Sequence, residues 1–277
     1  MVKLGIIGGG FVGSAVKYGF TNSNTNIFVV DPKLGTTIEQ LQTFKPEYTF
    51  VCVPTPMSKD GKIDASILRE VVTYLVDNLF TKIIIKSTVT PDIIDELFGL
   101  NPFRIVYNPE FLTEKSANED FVNPIMHVFG GYGHETFEIE DLYKHYSNCK
   151  PCPTHHMSPT DASFVKYGMN CFLASKVLWF NQFADIVNEF GGNYNTVISA
   201  ITTDQRIGTS HTTVPGYDGK RGFSGSCFPK DSFAFAKFAN PDFTVLKEVI
   251  RRNNEYRTST ELSDREKEQH IRFDLDV

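Results

Sequence analysis

No apolar run in this chain approaches the roughly 18–20 residues that a membrane-crossing helix needs. No block of lysine and arginine offers a surface to nucleic acid or acidic lipid. The balance tilts the other way, with 27 basic and 33 acidic side chains and a formal net charge of −6. Cysteine is scarce and odd in number: Cys52, Cys149, Cys152, Cys171 and Cys227. The first residues read as a strand and a glycine loop, not as a cleavable leader. The thiols are therefore expected to stay reduced in the cytoplasm. Internal repeats and low-complexity tracts are lacking. A composition that is 41% hydrophobic and 22% charged excludes a disordered, collagen-like or disulfide-stapled chain. What remains is a globular protein of 277 residues, enough for one large core or two smaller ones.

The first half alternates short apolar runs with helix-length segments. Residues 2–8, 26–31, 48–54, 82–88, 104–108 and 126–130 read as strands buried on both faces. Residues 11–20, 65–80, 91–98 and 135–146 read as the helices between them. This alternation predicts a doubly wound, Rossmann-type α/β domain over residues 1–155. Residues 150–160 hold Pro151, Pro153 and Pro159 and read as a connector. A smaller all-helical domain follows over residues 156–277. It opens with one long helix, 161–190, stopped by Gly191-Gly192. The apolar residues of that helix cover more than one face, so it should be sandwiched against other helices or a second subunit. Helices are also expected over 195–203, 231–240 and 243–256. Residues 257–277 read as a short solvated helix or a frayed tail, with capping-box spacing from Ser263 to Glu266.

Three motifs carry chemistry. Gly8, Gly10 and Gly13 fit G-x-G-x-x-G between a buried strand and a helix that begins Phe11-Val12. Gly8 allows the tight turn, Gly10 lets backbone approach a pyrophosphate, and Gly13 lets helix pack on strand. Asp31 closes the second strand twenty-three residues after Gly8, where an acid holds ribose hydroxyls and disfavours a 2′-phosphate. NAD is the expected cofactor, with Lys33 beside it. Cys149 and Cys152, followed by His155-His156, suggest zinc or redox chemistry at first sight. Adjacent histidines on extended chain point apart, and Pro153 sits where a redox helix would open, so no metal is expected. The run GFSGSCFPKD ends with Cys227, Lys230 and Asp231 at the start of a helix. A helix N-terminus and a nearby cation raise the thiolate fraction. On these residues alone, Cys227 is either a nucleophile or a structural buried thiol.

Seven stretches, taken in order, resemble the UDP-glucose/GDP-mannose dehydrogenase family. They are GIIGGGFVG, VCVPTP, KSTV, YNPEFLTE, KYGMNCFLASK, DQRIG and GFSGSCFPKD, between residues 5 and 231, and NNEY near residue 254 extends the match. The resemblance implies oxidation of a nucleotide-sugar C6 alcohol to the carboxylate with two NAD, UDP-glucose first and GDP-mannose next. It implies that Cys227 captures the intermediate aldehyde as a thiohemiacetal and then carries a thioester. Lys166 would stabilise oxyanion character at C6, and Asn170, four residues on and so on the same helical face, would hold that oxygen or a water. Asp231 would act with water as acid and base, and Glu110 as the base for thioester hydrolysis. Thr88 would hold the catalytic water. Thr55, Thr88 and Glu114 would lie on the cofactor side. Phe111 and Leu112 would approach the sugar nucleotide through backbone, as would Gly225. Arg206 would reach the substrate of a neighbouring subunit in a homodimer, and Lys220 and Arg221 would clamp phosphate.

The chain departs from the family pattern at Thr113, Lys115, Pro124-Ile125-Met126, Ser163, Asn181-Gln182 and Ser224. It also stops where the resemblance implies a third, nucleotide-binding domain, so it is either a natural short form or a fragment, and the capped terminal segment slightly favours a natural end. Two other functions share parts of this pattern. A single-step β-hydroxyacid-type dehydrogenase shares the glycine loop and a helical lysine but needs no cysteine. A non-catalytic nucleotide-binding protein would have no use for Cys227, Lys166, Asn170 and Glu110 together.

Overall fold

The computed structural model describes residues 1–239 and 242–276. The chain divides into two compact units: Met1–Thr55 with Asp64–Lys166, and Pro56–Ile63 with the chain from Tyr167 onward. The first unit is an α/β sheet domain and the second is helical, the fold class that the sequence predicts.

In the first unit the strands are β1 (Val2–Ile7), β2 (Thr25–Val30), β3 (Tyr48–Val51), β4 (Lys82–Ile85), β5 (Ile105–Tyr107), β6 (His127–Gly130) and β7 (Thr154–Met157). They form one seven-stranded sheet in the order β2-β1-β3-β4-β5-β6-β7. Neighbours run parallel except β5 and β6. The strand order reverses between β1 and β3, and the carboxyl ends of those strands are where such sheets bind ligands. The helices are α1 (Phe11–Phe20), α2 (Gln40–Phe44), α3 (Ser66–Asn78), α4 (Pro91–Leu100), α5 (Ala117–Val122) and α6 (Glu135–Tyr146). The inner strands β1, β3, β4 and β5 are largely apolar because both faces are covered: Leu4, Ile6, Phe50, Ile84 and Val106 are fully buried. Phe20, Phe50, Phe121 and Tyr143 interlock at ring-centroid distances of 5.1–6.2 Å in the core on one side of the sheet.

The long helix α7 (Pro159–Glu189) belongs to the first unit up to Lys166 and to the second beyond it. The second unit adds α8 (Tyr194–Ile201), α9 (Phe228–Phe238), α10 (Thr244–Arg257) and α11 (Asp264–Glu268). Its core includes Ala174 and Leu178 packed on Phe223. Phe180 and Ala184 pack on Tyr194.

Several expectations need correction. The segment read as a connector contains β7, which pairs in parallel with β6 from His127↔Thr154 to Gly130↔Met157. Its prolines flank the strand rather than interrupt it, and an edge strand tolerates that. Both ring nitrogens of His156 are engaged, with Thr136 Oγ1 at 2.9 Å and Glu140 Oε2 at 3.0 Å, while His155 is exposed on the other face. The change of unit falls at Lys166 rather than at residue 155, because β7 and the first turns of α7 stay with the sheet. Helices α2 and α5, of five and six residues, are too short to show periodicity in the sequence. Helix α9 begins at Phe228, ahead of Asp231; its expected end at Asn240 lies outside the described residues.

The terminal segment is not a solvated tail. Ser263 and Glu266 do form the capping box at α11. Beyond it, Ile271 and Phe273 are buried, and Met57 N donates to Gln269 O at 3.0 Å. Phe273→Ala should therefore cost the second unit about 3 kcal/mol of stability, read as a lowered urea midpoint. An unchanged midpoint would return this segment to solvent.

Candidate active site

At the end of β1 the chain turns through Gly8, whose φ is +94° and whose added Cβ would lie 2.5 Å from Cys52 O. A Cβ on Gly13 would come within 1.8 Å of Gly8 O, so helix and loop touch only because residue 13 is glycine. A Cβ on Gly10 would meet nothing within 4 Å, which leaves open space over the loop. Gly10 is the N-cap of α1 and brings no capping side chain, and the first turn, from Phe11 and Val12, holds no acid. That end of the helix is electrostatically suited to a phosphate anion. Asp31 Oδ2 accepts from Gly9 N at 2.7 Å and Oδ1 from Lys33 N at 2.8 Å. The carboxylate thus braces the glycine loop. After β3 and β4, the buried Thr55 Oγ1 donates to Thr88 O at 2.9 Å. The loop, the open space over Gly10 and Asp31 fit a dinucleotide. Lys33 and Glu114 are exposed.

Lys166 and Glu110 form the second element of the first unit. Lys166 Nζ donates to Glu110 O at 2.6 Å and lies 3.3 Å from Oε1. Glu110 Oε2 accepts from Leu112 N at 2.6 Å, and Lys166 Nζ stands 5.4 Å from the centre of the Phe111 ring. The two residues are only 3% and 7% exposed, so the pair is withdrawn from solvent screening. Ser163 Oγ donates to Val89 O at 2.7 Å and fixes the turn of α7 that carries Lys166.

The turn before Glu110 is set by Asn108. Its Oδ1 accepts from Lys86 Nζ at 2.9 Å and from Tyr143 OH at 2.7 Å, and its Nδ2 donates to Val128 O at 2.9 Å. Burial drives the Lys86 ammonium down to about 8, with Cys52, Glu110 and Cys149 opposing the shift. Sequence reading passed over Lys86, although a lysine closing the apolar run KIII was a visible signal. Nothing in the periodicity of α6 singles out Tyr143.

In the second unit, Cys227 is the N-cap of α9 and Asp231 N donates to Cys227 O at 2.9 Å. Asp231 is 1% exposed. Its Oδ2 accepts from Asn170 Nδ2 and its Oδ1 from Lys230 Nζ, each at 2.6 Å. The carboxylate is thus fixed by a neutral and a cationic donor, both buried. Cys227 is half-buried, with Ser226 Oγ 3.7 Å from its sulfur. Burial pushes the Cys52 thiol up to about 12 and Cys149 to about 11, and raises Cys152. Burial and then the Asp231 charge raise Cys171 as well. These four are poor nucleophiles at neutral pH. Cys149 Sγ contacts Phe121 O at 3.1 Å, and among the described residues no three His, Cys, Asp or Glu could hold a metal ion.

The remaining expected residues lie further out in the second unit. Arg206 is exposed and forks onto Asp204, with Nη2 2.5 Å from Oδ2. Lys220 Nζ donates to Glu261 O at 3.3 Å. Arg221 donates from Nε to Asn181 Oδ1 at 2.8 Å, from Nη1 to Asp185 Oδ1 at 2.5 Å, and from Nη2 to the Asn181 carbonyl. Its guanidinium lies 5.0 Å from the Tyr256 ring centre. The guanidinium is thus held by protein groups. Gly225 has φ +88°.

Known proteins resemble this chain in both units. The NAD binding domain of the UDP-glucose/GDP-mannose dehydrogenase family matches residues 33–147, and the central domain of that family matches residues 160–255. A UDP-glucose 6-dehydrogenase of Rickettsia felis is 32% identical over 224 residues, which is 76% of this chain and 48% of that protein. A UDP-glucose dehydrogenase structure from Pyrobaculum islandicum matches with a TM-score of 0.76 at 26% identity, covering 92% of this chain and 68% of that one. A UDP-D-ManNAc dehydrogenase from Pyrococcus horikoshii has the same fold, with a TM-score of 0.78 at 21% identity over 92% of this chain and 69% of its own. The chain spans about half the length of the curated relatives it matches.

The buried lysine makes stability depend on pH with a definite sign. Between about 8 and its ordinary 10.5, Lys86 is protonated in the unfolded chain more than in the folded one. Its contribution to stability therefore rises with pH through that window and is least favourable below it. Lys86→Met removes the effect. The stability of the variant relative to wild type should fall as pH is raised from 7 to 10 in parallel urea unfolding curves. A difference that stays constant across this range would contradict the buried charge.

Proposed function

The chain belongs to the UDP-glucose/GDP-mannose dehydrogenase family, and from that premise we propose that it oxidises a nucleotide-sugar C6 alcohol to the carboxylate in two NAD-dependent steps, with UDP-glucose as first substrate. The observation that carries this reading is Cys227 at the start of α9, one turn before an Asp231 carboxylate gripped by Asn170 and Lys230. A single-step dehydrogenase has no need of that thiol.

NAD bound at the glycine loop supplies the hydride acceptor for both oxidations. Gly8, Gly10, Gly13 and Asp31 would hold it, with the open space over Gly10 left for the pyrophosphate. Asp31 keeps a negative charge beside the loop and so disfavours a 2′-phosphate. Asp231, acting with a water, takes the proton of the C6 alcohol as the aldehyde forms. The thiolate of Cys227 then adds to the aldehyde carbon. The new S–C bond makes that carbon tetrahedral, and its oxygen becomes an oxyanion that the Lys166 ammonium balances. Loss of a second hydride from this carbon leaves a thioester on Cys227. Glu110 takes a proton from water as it attacks the thioester, the C–S bond breaks, and the sulfur leaves as thiolate to be used again. Thr88 would hold that water. Phe111, Leu112, Gly225, Lys220 and Arg221 would line the path of the sugar nucleotide. A homodimer belongs to the same proposal. It is supported by Phe172, Trp179 and Ile186, which are exposed along α7 at intervals of seven, with the exposed Phe190 just past its end, and would let Arg206 serve a partner's substrate.

No helix among the described residues is long and apolar enough to cross a membrane. Trp179→Glu should convert the dimer to a monomer in sedimentation; an unchanged dimer mass would remove this face from the interface. Cys227→Ser should keep NAD binding and lose production of the acid. Glu110→Gln should slow hydrolysis, so that the mass of the acyl group accumulates on Cys227 in the intact protein. Undiminished acid from Cys227→Ser would refute the covalent mechanism.

A further inference from the structure

Residues 218–227 lead into Cys227 without helix or strand, yet side chains from three helices bond their backbone. Gly222 N donates to Asn181 Oδ1 of α7 at 3.0 Å, and Gly222 O accepts from Arg257 Nη2 of α10 at 2.7 Å. Asn253 of α10 bonds both backbone groups of the next residue: its Oδ1 accepts from Phe223 N at 2.7 Å, and its Nδ2 donates to Phe223 O at 3.1 Å. A Cβ on Gly222, where φ is +76°, would lie 2.4 Å from that Oδ1, so the clamp closes only on glycine. Finally Gly225 N, two residues before the thiol, donates to Glu266 Oε1 of α11 at 3.0 Å.

Asn181, Asn253, Arg257 and Glu266 are all buried. Burying such groups costs more than burying apolar side chains of similar size, so stability alone is a poor reason for the set. What they fix is a backbone path. Glu266 is held in turn: its Oε2 accepts from Ser263 N and Ser263 Oγ, each at 2.8 Å. The segment carrying it is tied back to the same unit through Met57 N to Gln269 O at 3.0 Å and Asn254 Nδ2 to Leu275 O at 3.1 Å.

We infer that Glu266 is a positioning residue for Cys227, setting the presentation of the thiol through the Gly225 N–H. This rests on the proposed role of Cys227 as nucleophile. The terminal segment is then a clasp on the nucleophile loop. Removing the Glu266–Gly225 bond leaves a loop N–H without its partner and lets Ser226 and Cys227 rotate, which misaligns the sulfur more than it unfolds the unit.

The test compares Glu266→Met, which keeps the length of the side chain but cannot accept from Gly225 N, with Ser263→Ala, which loses the helix cap but keeps the bond to Gly225. For each, alkylation of Cys227 by iodoacetamide is followed by peptide mass, beside kcat, KM and NAD affinity. Glu266→Met should change the Cys227 alkylation rate by about threefold or more and lower kcat about tenfold, with KM and NAD affinity unchanged. Ser263→Ala should lower the melting temperature and leave alkylation and kcat near wild type. Should Glu266→Met not fold, Glu266→Asp takes its place, since it keeps the charge and withdraws the oxygen from Gly225. The inference is overturned if the Glu266 variant alkylates within about twofold of wild type, or if Ser263→Ala shifts alkylation equally. A wild-type protein without turnover would sink the proposed function instead, because the alkylation ratio is read without substrate.

Discussion

Charge taken out of water is the constraint on which both units are built. In the first, Lys166 is held on the carbonyl and carboxylate of Glu110, with Lys86 on Asn108 behind it. In the second, Asp231 lies between Asn170 and Lys230. Replacing a buried ion pair by apolar residues of like volume is commonly neutral or stabilising. A chain that retains such pairs in both units gives up stability that apolar packing could supply, and the proposed oxidation of an alcohol would account for it. An alkoxide, a thiolate and an attacking water each need a charged group already in place, because a group that had to reorient would lose most of its effect in the transition state.

Glu110 and Asp231 are each fixed by a neutral donor as well as by a cation. Glu110 accepts from Leu112 N, and Asn170 supplies an uncharged donor to Asp231. The same principle governs the glycine loop, where Asp31 accepts from Gly9 N. A carboxylate satisfied by a backbone N–H keeps a single orientation, which suits a dinucleotide site.

Much of this was legible in the chain because it depends on local spacing. The buried strands betray themselves by unbroken apolar runs, and α1 and α6 have the bounds that the periodicity predicts. The glycine loop needs glycine for steric reasons that any reader of the sequence can infer. Cys227, Lys230 and Asp231 sit together at one helix start, and Lys166 and Asn170 are four apart on one helix. What escaped depends on long-range pairing. Strand β7 is polar, flanked by prolines, and is a strand only because β6 offers it an edge. Asn181 counted as a departure from a motif, yet its side chain bonds Gly222 N and Arg221 Nε. Glu266 looked like half of a capping box, and it is; its second bond, to Gly225, joins residues forty-one apart and has no sequence signature.

In the proposed reaction one thiol lets a single chain carry an alcohol through two oxidations. NADH released per nucleotide sugar consumed tests this most directly, measured with UDP-glucose and then with GDP-mannose in limiting amounts. Two NADH for each sugar converted, with a carboxylate product, are expected. One NADH with an aldehyde or ketone product would make the chain a single-step dehydrogenase and contradict the role given to Cys227.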